Sequence, residues 1–185
     1  MSLYAELGHL QYAGEGVSQL QHAWQCGELA RQANASEALQ LASWLHDIGH
    51  LMTRADGTPT LRGEDDRHQD LAATVLLPIF SAAVAGPVAL HVEAKRYLVA
   101  AHTGYRGRLS PDSVRSLELQ GGAMSEEQCA VFRSLPHAEE AMRLRAWDDA
   151  AKVAALQPQS AHQAICQLRE LMASVLSRGH TKIAA

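Results

Sequence analysis

Six residues spread along the chain have the types that hold metal ions: His22, the adjacent pair His46-Asp47, His68, His91 and Asp148. Ten histidines in 185 residues is a high count. Several interrupt apolar helical segments, where an unsatisfied imidazole is costly to bury. A cation that takes the ring nitrogens would remove that cost. Neutral imidazoles and carboxylates suit zinc, iron, nickel or manganese, and a set without thiolates leaves iron or manganese as open as zinc. The three cysteines, Cys26, Cys129 and Cys166, are far apart and form no CxxC pair, so neither a thiolate zinc site nor a disulfide framework is indicated.

The elements that must position these residues read as helices throughout. Leu20, Ala23, Leu29 and Ala30 lie at helical spacing over residues 18–33, and Ser36 can cap a second helix that turns Leu39, Ala42 and Leu45 inward. Residues 52–64, with Gly57, Pro59 and Gly63, read as a loop. Further helices are expected over 65–77, 79–90, 91–102, 111–119, 125–134, 136–153 and 159–178, before a frayed tail, RGHTKIAA. Strand alternation is absent, so the fold class is all-α, a single domain over 1–185 with its core at about 8–153.

Composition narrows the partners. With a net charge of -4 the chain has no general pull on nucleic acid or an anionic membrane, so an anionic ligand must be drawn by local charge. Residues 71–90, LAATVLLPIFSAAVAGPVAL, carry no charge over the length of a membrane span. Pro78, Gly86 and Pro87 interrupt the run, and two buried helices are expected instead. The N-terminal residues show no basic segment followed by an apolar one, and free cysteines suit a reducing compartment, so a cytoplasmic location is expected. The oligomeric state is not legible.

The ordered series resembles the HD-domain superfamily of metal-dependent phosphohydrolases, whose signature is a His, a His-Asp pair and a distant Asp. That resemblance implies a helical HD-domain bundle with His22, His46, Asp47 and Asp148 around one metal. His68 and His91 match the added histidines of two-metal members, in which the Asp of the pair, here Asp47, bridges the ions. Asp149 is an alternative to Asp148, which is preferred because it follows Trp147 directly.

The stretches YAGEGVSQLQHA, WLHDIGH, LHVEAKRYL, LSPDSVRSLELQGG and RLRAWDDAAK resemble a narrower group. These are the HD-domain mixed-valent diiron oxygenases of phosphonate degradation, related to inositol oxygenase. The resemblance runs from about residue 8 to 153. It implies two iron ions in an Fe(II)/Fe(III) state, O2 as co-substrate, and a small organophosphonate as partner. A 1-hydroxy-2-aminoethylphosphonate or its trimethylammonium analogue would give phosphate with glycine or glycine betaine. Metal-activated water alone does little for a carbon–phosphorus bond, because carbon is a poor leaving group, so C1 must be oxidised first.

Lys95 follows His91 by four residues and Arg145 precedes Asp148 by three, so on helices each shares a face with a ligand. The resemblance points to both as phosphonate-binding residues; taken alone they are solvated charges. His50 stands where phosphodiesterase relatives carry the lysine of HDxGK, and is expected to contact the phosphonate or order a water. Ser113 and Ser116 are expected to donate to the same head group, although Ser113 could cap a turn. At the other end, the family implies Glu15 for a substrate ammonium and Tyr12 for occluding the open iron position. Few aromatics, 5% of the chain, favour a primary amine over a trimethylammonium. Two other readings remain: a phosphohydrolase acting on a nucleotide or phosphate ester, which needs only the four-residue set, and a non-catalytic nucleotide-binding domain, against which six intact ligands argue.

Overall fold

Several of the helices begin where a serine supplies a side-chain acceptor for the first free N–H groups. In the computed structural model, which describes residues 2–12, 14–53 and 59–181, helix α2 (Gln19–Gln32) starts with a capping box. Ser18 Oγ accepts from the Gln21 N–H at 3.2 Å, and the Gln21 side chain accepts from the Ser18 N–H. Ser36 caps α3 (Glu37–Leu45) as expected, accepting from the Leu39 N–H. The other helices are α1 (Ser2–Leu7), α4 (Ile48–Thr53), α5 (His68–Phe80), α6 (Ala82–Ala101), α7 (Pro111–Leu119), α8 (Glu126–Ser134), α9 (Ala138–Ala150) and α10 (Ala161–Thr181). No strand occurs among the described residues, and Gln11 and Ser18 form an isolated bridge. The chain is all-α.

Several boundaries differ from the sequence reading. Residues 79–102 do not form two helices meeting at 90, because the break falls at Ser81, whose φ of 76° leaves the helical path, and α6 then runs unbroken to Ala101. Pro78 in the last turn of α5 and Pro87 in the second turn of α6 each remove one N–H, too little to stop the helix. Helices α5 and α9 start later than expected because Arg67 and His137 are left-handed, with φ of 47° and 67°. Helices α1 and α4 were not anticipated, so the loop expected over 52–64 loses residues 52 and 53 to α4 and contains a short helical turn at Pro59–Arg62; Gly57 lies outside the described residues. The tail expected to fray from Arg178 stays helical to Thr181, and 182–185 lie outside the described residues. Among the described residues, no helix is long and apolar enough to cross a membrane.

The main core joins α2, α3, α5, α6, α9 and α10 through Leu20, Leu39, Leu41, Leu76, Val84, Val88, Leu144 and Leu168. Each such fully buried aliphatic side chain contributes on the order of 2 kcal/mol. A smaller cluster of Ala94, Phe132, Ala138 and Ala141 binds α8 to α6 and α9. Two glycines set the spacing near the buried histidines. A Cβ on Gly27 would lie 2.1 Å from Trp44 Nε1, so α2 and α3 could not approach as they do. A Cβ on Gly49 would lie 2.1 Å from the His68 carbonyl oxygen, so the glycine of WLHDIGH lets α4 press against the start of α5. Gln21 and Gln25 donate to the Leu156 carbonyl at 2.9 and 2.7 Å, tying the segment after α9 back to α2.

Candidate metal centre

Five helical segments deliver the six ligand candidates to one place. His22 comes from the first turn of α2, His46 and Asp47 from the turn that directly follows α3, His68 from the first residue of α5, His91 from α6 and Asp148 from α9. All six are buried. They form two groups, His22, His46, Asp47 and Asp148, and Asp47, His68 and His91. Asp47 Oδ2 lies 3.2 Å from His46 Nε2 and 3.7 Å from His22 Nε2, while Oδ1 lies 3.2 Å from His68 Nε2 and 3.5 Å from His91 Nε2. One carboxylate thus faces both groups. Asp148 Oδ1 faces His22 Nε2 at 3.4 Å. Asp149 points elsewhere, toward Arg145 and the Tyr105 hydroxyl.

The hydrogen bonds behind the imidazoles test whether a cation fits. His22, His46 and His91 each set Nδ1 against a backbone carbonyl, of Ala151, Ser43 and Val88, at 2.7 to 2.9 Å. A carbonyl only accepts, so the proton sits on Nδ1 and Nε2 carries the lone pair. His68 Nδ1 meets Asp66 Oδ1 at 2.9 Å. The Nε2 atoms then face one another, His22 to His46 at 3.4 Å and His68 to His91 at 3.2 Å. With Nδ1 protonated, two Nε2 atoms this close need either a proton or a cation between them. Asp148 Oδ1 is also buried without a hydrogen-bond partner. Paired lone pairs beside an unsatisfied carboxylate oxygen are what a metal ion would satisfy.

The electrostatics agree. Burial pushes the Asp47 carboxyl up, yet the imidazoles of His46, His68 and His91 outweigh it and hold it well below the usual range. Burial lowers the His91 imidazole to about 4, keeping it neutral as a ligand must be. Burial also lowers His46 and His68, but Asp47, with Asp148 for His46 and Asp66 for His68, lifts them to about 10 and about 9. A divalent cation bound among the same carboxylates would take the place of those protons.

A cavity of about 440 Å³ opens onto the cluster. Tyr12 stands at its edge, its ring stacked on His22 at 3.9 Å and its hydroxyl donating to Asp47 Oδ2 at 2.7 Å. His50 stacks on His68 at 3.8 Å and gives Nδ1 to Asp66 Oδ2, which leaves Nε2 for any ligand. Lys95 reaches Ser116 Oγ at 2.6 Å. Burial, and next the Arg145 charge, lower its ammonium to about 7. Arg145 binds Asp148 Oδ2 at 2.7 Å and approaches Ser113 Oγ at 3.4 Å. Ser113 does not cap a turn; Ser110 caps α7 and accepts from the Ser113 N–H.

Glu15, expected to face a substrate ammonium, has its carboxylate paired with Lys152 at 3.3 Å. Two polar residues of the site escaped the sequence reading. Asp66, two positions before His68, fixes both His68 and His50. Lys152, four positions after Asp148, enters the cavity wall. The acidic pair before RHQD and the final residue of RLRAWDDAAK were the available signals.

No protein-family model matches the chain. Over 143 residues it is 44% identical to a Gimesia maris protein named hydroxymethylphosphonate dioxygenase, covering 77% of this chain and 71% of that one. Over 151 residues it is 36% identical to a Leisingera caerulea protein named 1-hydroxy-2-(trimethylamino)ethylphosphonate dioxygenase (glycine-betaine-forming), covering 81% and 76%.

Proposed function

Because the chain belongs to the family of phosphonate dioxygenases, we propose that it uses O2 to cleave the carbon–phosphorus bond of a 1-hydroxy-2-aminoethylphosphonate-type substrate. The products are phosphate and glycine, or glycine betaine from the trimethylammonium analogue. The cofactor in this reading is a pair of iron ions in an Fe(II)/Fe(III) state. What supports the pair is the divided reach of Asp47, with one oxygen toward His22 and His46 and the other toward His68 and His91. Hydrolysis of a phosphate ester, the other reading, needs only His22, His46, Asp47 and Asp148, and leaves the second pair of imidazoles without a task.

Bound iron would supply Lewis acidity toward the substrate's hydroxyl and phosphonate oxygens and the electron transfer that O2 chemistry requires. The protein's part is to place and hold. Lys95 and Arg145 bring cationic donors to the phosphonate, and Ser113 and Ser116 hold those donors and add hydroxyls of their own. Arg145 is kept rigid by Asp148 and Asp149, so its guanidinium is set before the anion arrives. His50, fixed by Asp66, offers its Nε2 to the phosphonate or to a water. Tyr12 covers Asp47 until substrate displaces its hydroxyl. The balance closes on one O2: one oxygen atom ends on C1 as carboxylate and the other on phosphorus as phosphate. The substrate loses four electrons and O2 gains four.

The substrate class is tested by assaying phosphate release in air from 2-amino-1-hydroxyethylphosphonate and from a panel of phosphate esters. The phosphonate is expected to turn over and the esters to release little. Lys95→Ala should raise KM for the phosphonate tenfold to a hundredfold, since a charge-assisted hydrogen bond is worth about 1.5–3 kcal/mol. Turnover of the esters with no response to Lys95→Ala would return the site to the hydrolase reading.

A further inference from the structure

The residue with the most unexplained structure around it is Lys152, which directly follows the Ala151 carbonyl that holds His22. Its ammonium donates to Ser110 Oγ and Ser113 Oγ, both at 3.1 Å, and pairs with Glu15 at 3.3 Å. It also stands over the Tyr12 ring, 5.7 Å from the centroid. That ring is the one whose hydroxyl touches Asp47. Lys152 is therefore part of the reaction chamber's wall, beside the group that covers the metal cluster.

Organic cations are held in proteins by carboxylates and by aromatic faces. At this end of the cavity both are taken: Glu15 and the Tyr12 face are occupied by the chain's own ammonium. The other carboxylates of the wall outside the metal cluster have partners or face solvent. Asp112 accepts from Thr60 and Arg115, Glu64 pairs with Arg62, Asp66 holds His50 and His68, and Asp65 is exposed. Meanwhile Lys152, Arg145 and Lys95 lie along one row of serines, Ser110, Ser113 and Ser116, at helical spacing on α7 and its cap. The row suits a phosphonate dianion and repels a second positive charge on the same small molecule.

We propose that Lys152 is the specificity-determining residue of this site, standing in for a substrate ammonium on Glu15 and Tyr12, so that 1-hydroxyphosphonates without a cationic tail are preferred to those with one. The inference rests on the oxidative phosphonate reading and moves its favoured substrate from the aminoethyl compound, which is still accepted, to a 1-hydroxyphosphonate without the amine. An ammonium-bearing substrate is accepted only by displacing Lys152 from Glu15. Hydroxymethylphosphonate, which has no tail, leaves that pair intact.

The test compares hydroxymethylphosphonate with 2-amino-1-hydroxyethylphosphonate on iron-loaded protein. kcat/KM is measured in air, and affinity is measured by calorimetry without O2. The wild type should prefer hydroxymethylphosphonate by roughly tenfold or more, as expected for one uncompensated charge contact. Lys152→Met should erase most of that preference, chiefly by lowering KM for the amine. Lys152→Arg, which keeps the cation, should retain it. Glu15→Gln, which leaves Lys152 charged without its partner, should widen it. Unfolding midpoints confirm that each variant is folded. An equal preference in wild type, Lys152→Met and Glu15→Gln overturns the assignment. Should the anaerobic affinities follow the expected order while no phosphonate releases phosphate in air, the assignment stands and the oxygenase reading falls. Phosphate release with an unshifted preference is the reverse case.

Discussion

Asp47→Ala is expected to reduce phosphate release to background and to leave the purified protein with less than one iron per chain. The expectation follows from position. Asp47 Oδ2 faces the His22 and His46 ring nitrogens and Oδ1 faces those of His68 and His91, and among the described residues no other side chain serves both groups. Its loss also removes the acceptor of the Tyr12 hydroxyl, opening the cover over the cluster. Four imidazoles and Asp148 would remain, too few anionic donors to hold two cations against a buried setting. The measurement is metal analysis beside a phosphate assay, with the unfolding midpoint as a control for folding. Two irons retained by Asp47→Ala would remove the bridging role.

His91→Ala has the second-largest expected effect, and it dissects the pair rather than destroying it. His91 reaches only the second group, from the middle of α6, with its Nδ1 proton donated to the Val88 carbonyl. Truncation removes one donor of three there and leaves the His22, His46, Asp47 and Asp148 group complete. Iron content should fall from two ions per chain to one, and activity should be lost with the second ion. The fold should persist, at a cost of about 2–4 kcal/mol for a buried ring replaced by a small cavity. Electron paramagnetic resonance of the half-oxidised protein should show a coupled pair in the wild type and an isolated ion in the variant. A wild type that binds one iron under iron-replete conditions contradicts the dinuclear reading.

Much of this arrangement is legible before any coordinates, and the reason is local periodicity. Helical spacing over 18–33 announces the helix that carries His22, Ser36 announces the helix that ends at His46, and four-residue spacing puts Lys95 on the cavity side of α6 with His91. Three-residue spacing likewise brings Arg145 against Asp148. The preference for Asp148 over Asp149 came from family resemblance, and the geometry has the same order. What stayed hidden depends on contacts between distant positions. Asp66 matters because it meets His50, sixteen residues away, and Lys152 because it meets Glu15, 137 residues away. Neither contact has a periodic signature. The unbroken α6 was missed for a different reason: nothing local marks the break at Ser81, so the apolar run was divided at residue 90, whereas α6 passes through Pro87 to Ala101 with Val84, Ala85 and Val88 packed into the core.

The central claim is that the bond is broken by oxidation with O2, and a comparison of products with and without O2 tests it most directly. Iron-loaded protein is incubated with 2-amino-1-hydroxyethylphosphonate in air and under strict anaerobiosis, and phosphate, glycine and consumed O2 are quantified together. The account predicts phosphate and glycine in equal amounts, one of each per O2, and neither in its absence. Release of phosphate that continues without O2 would contradict it and point to hydrolysis.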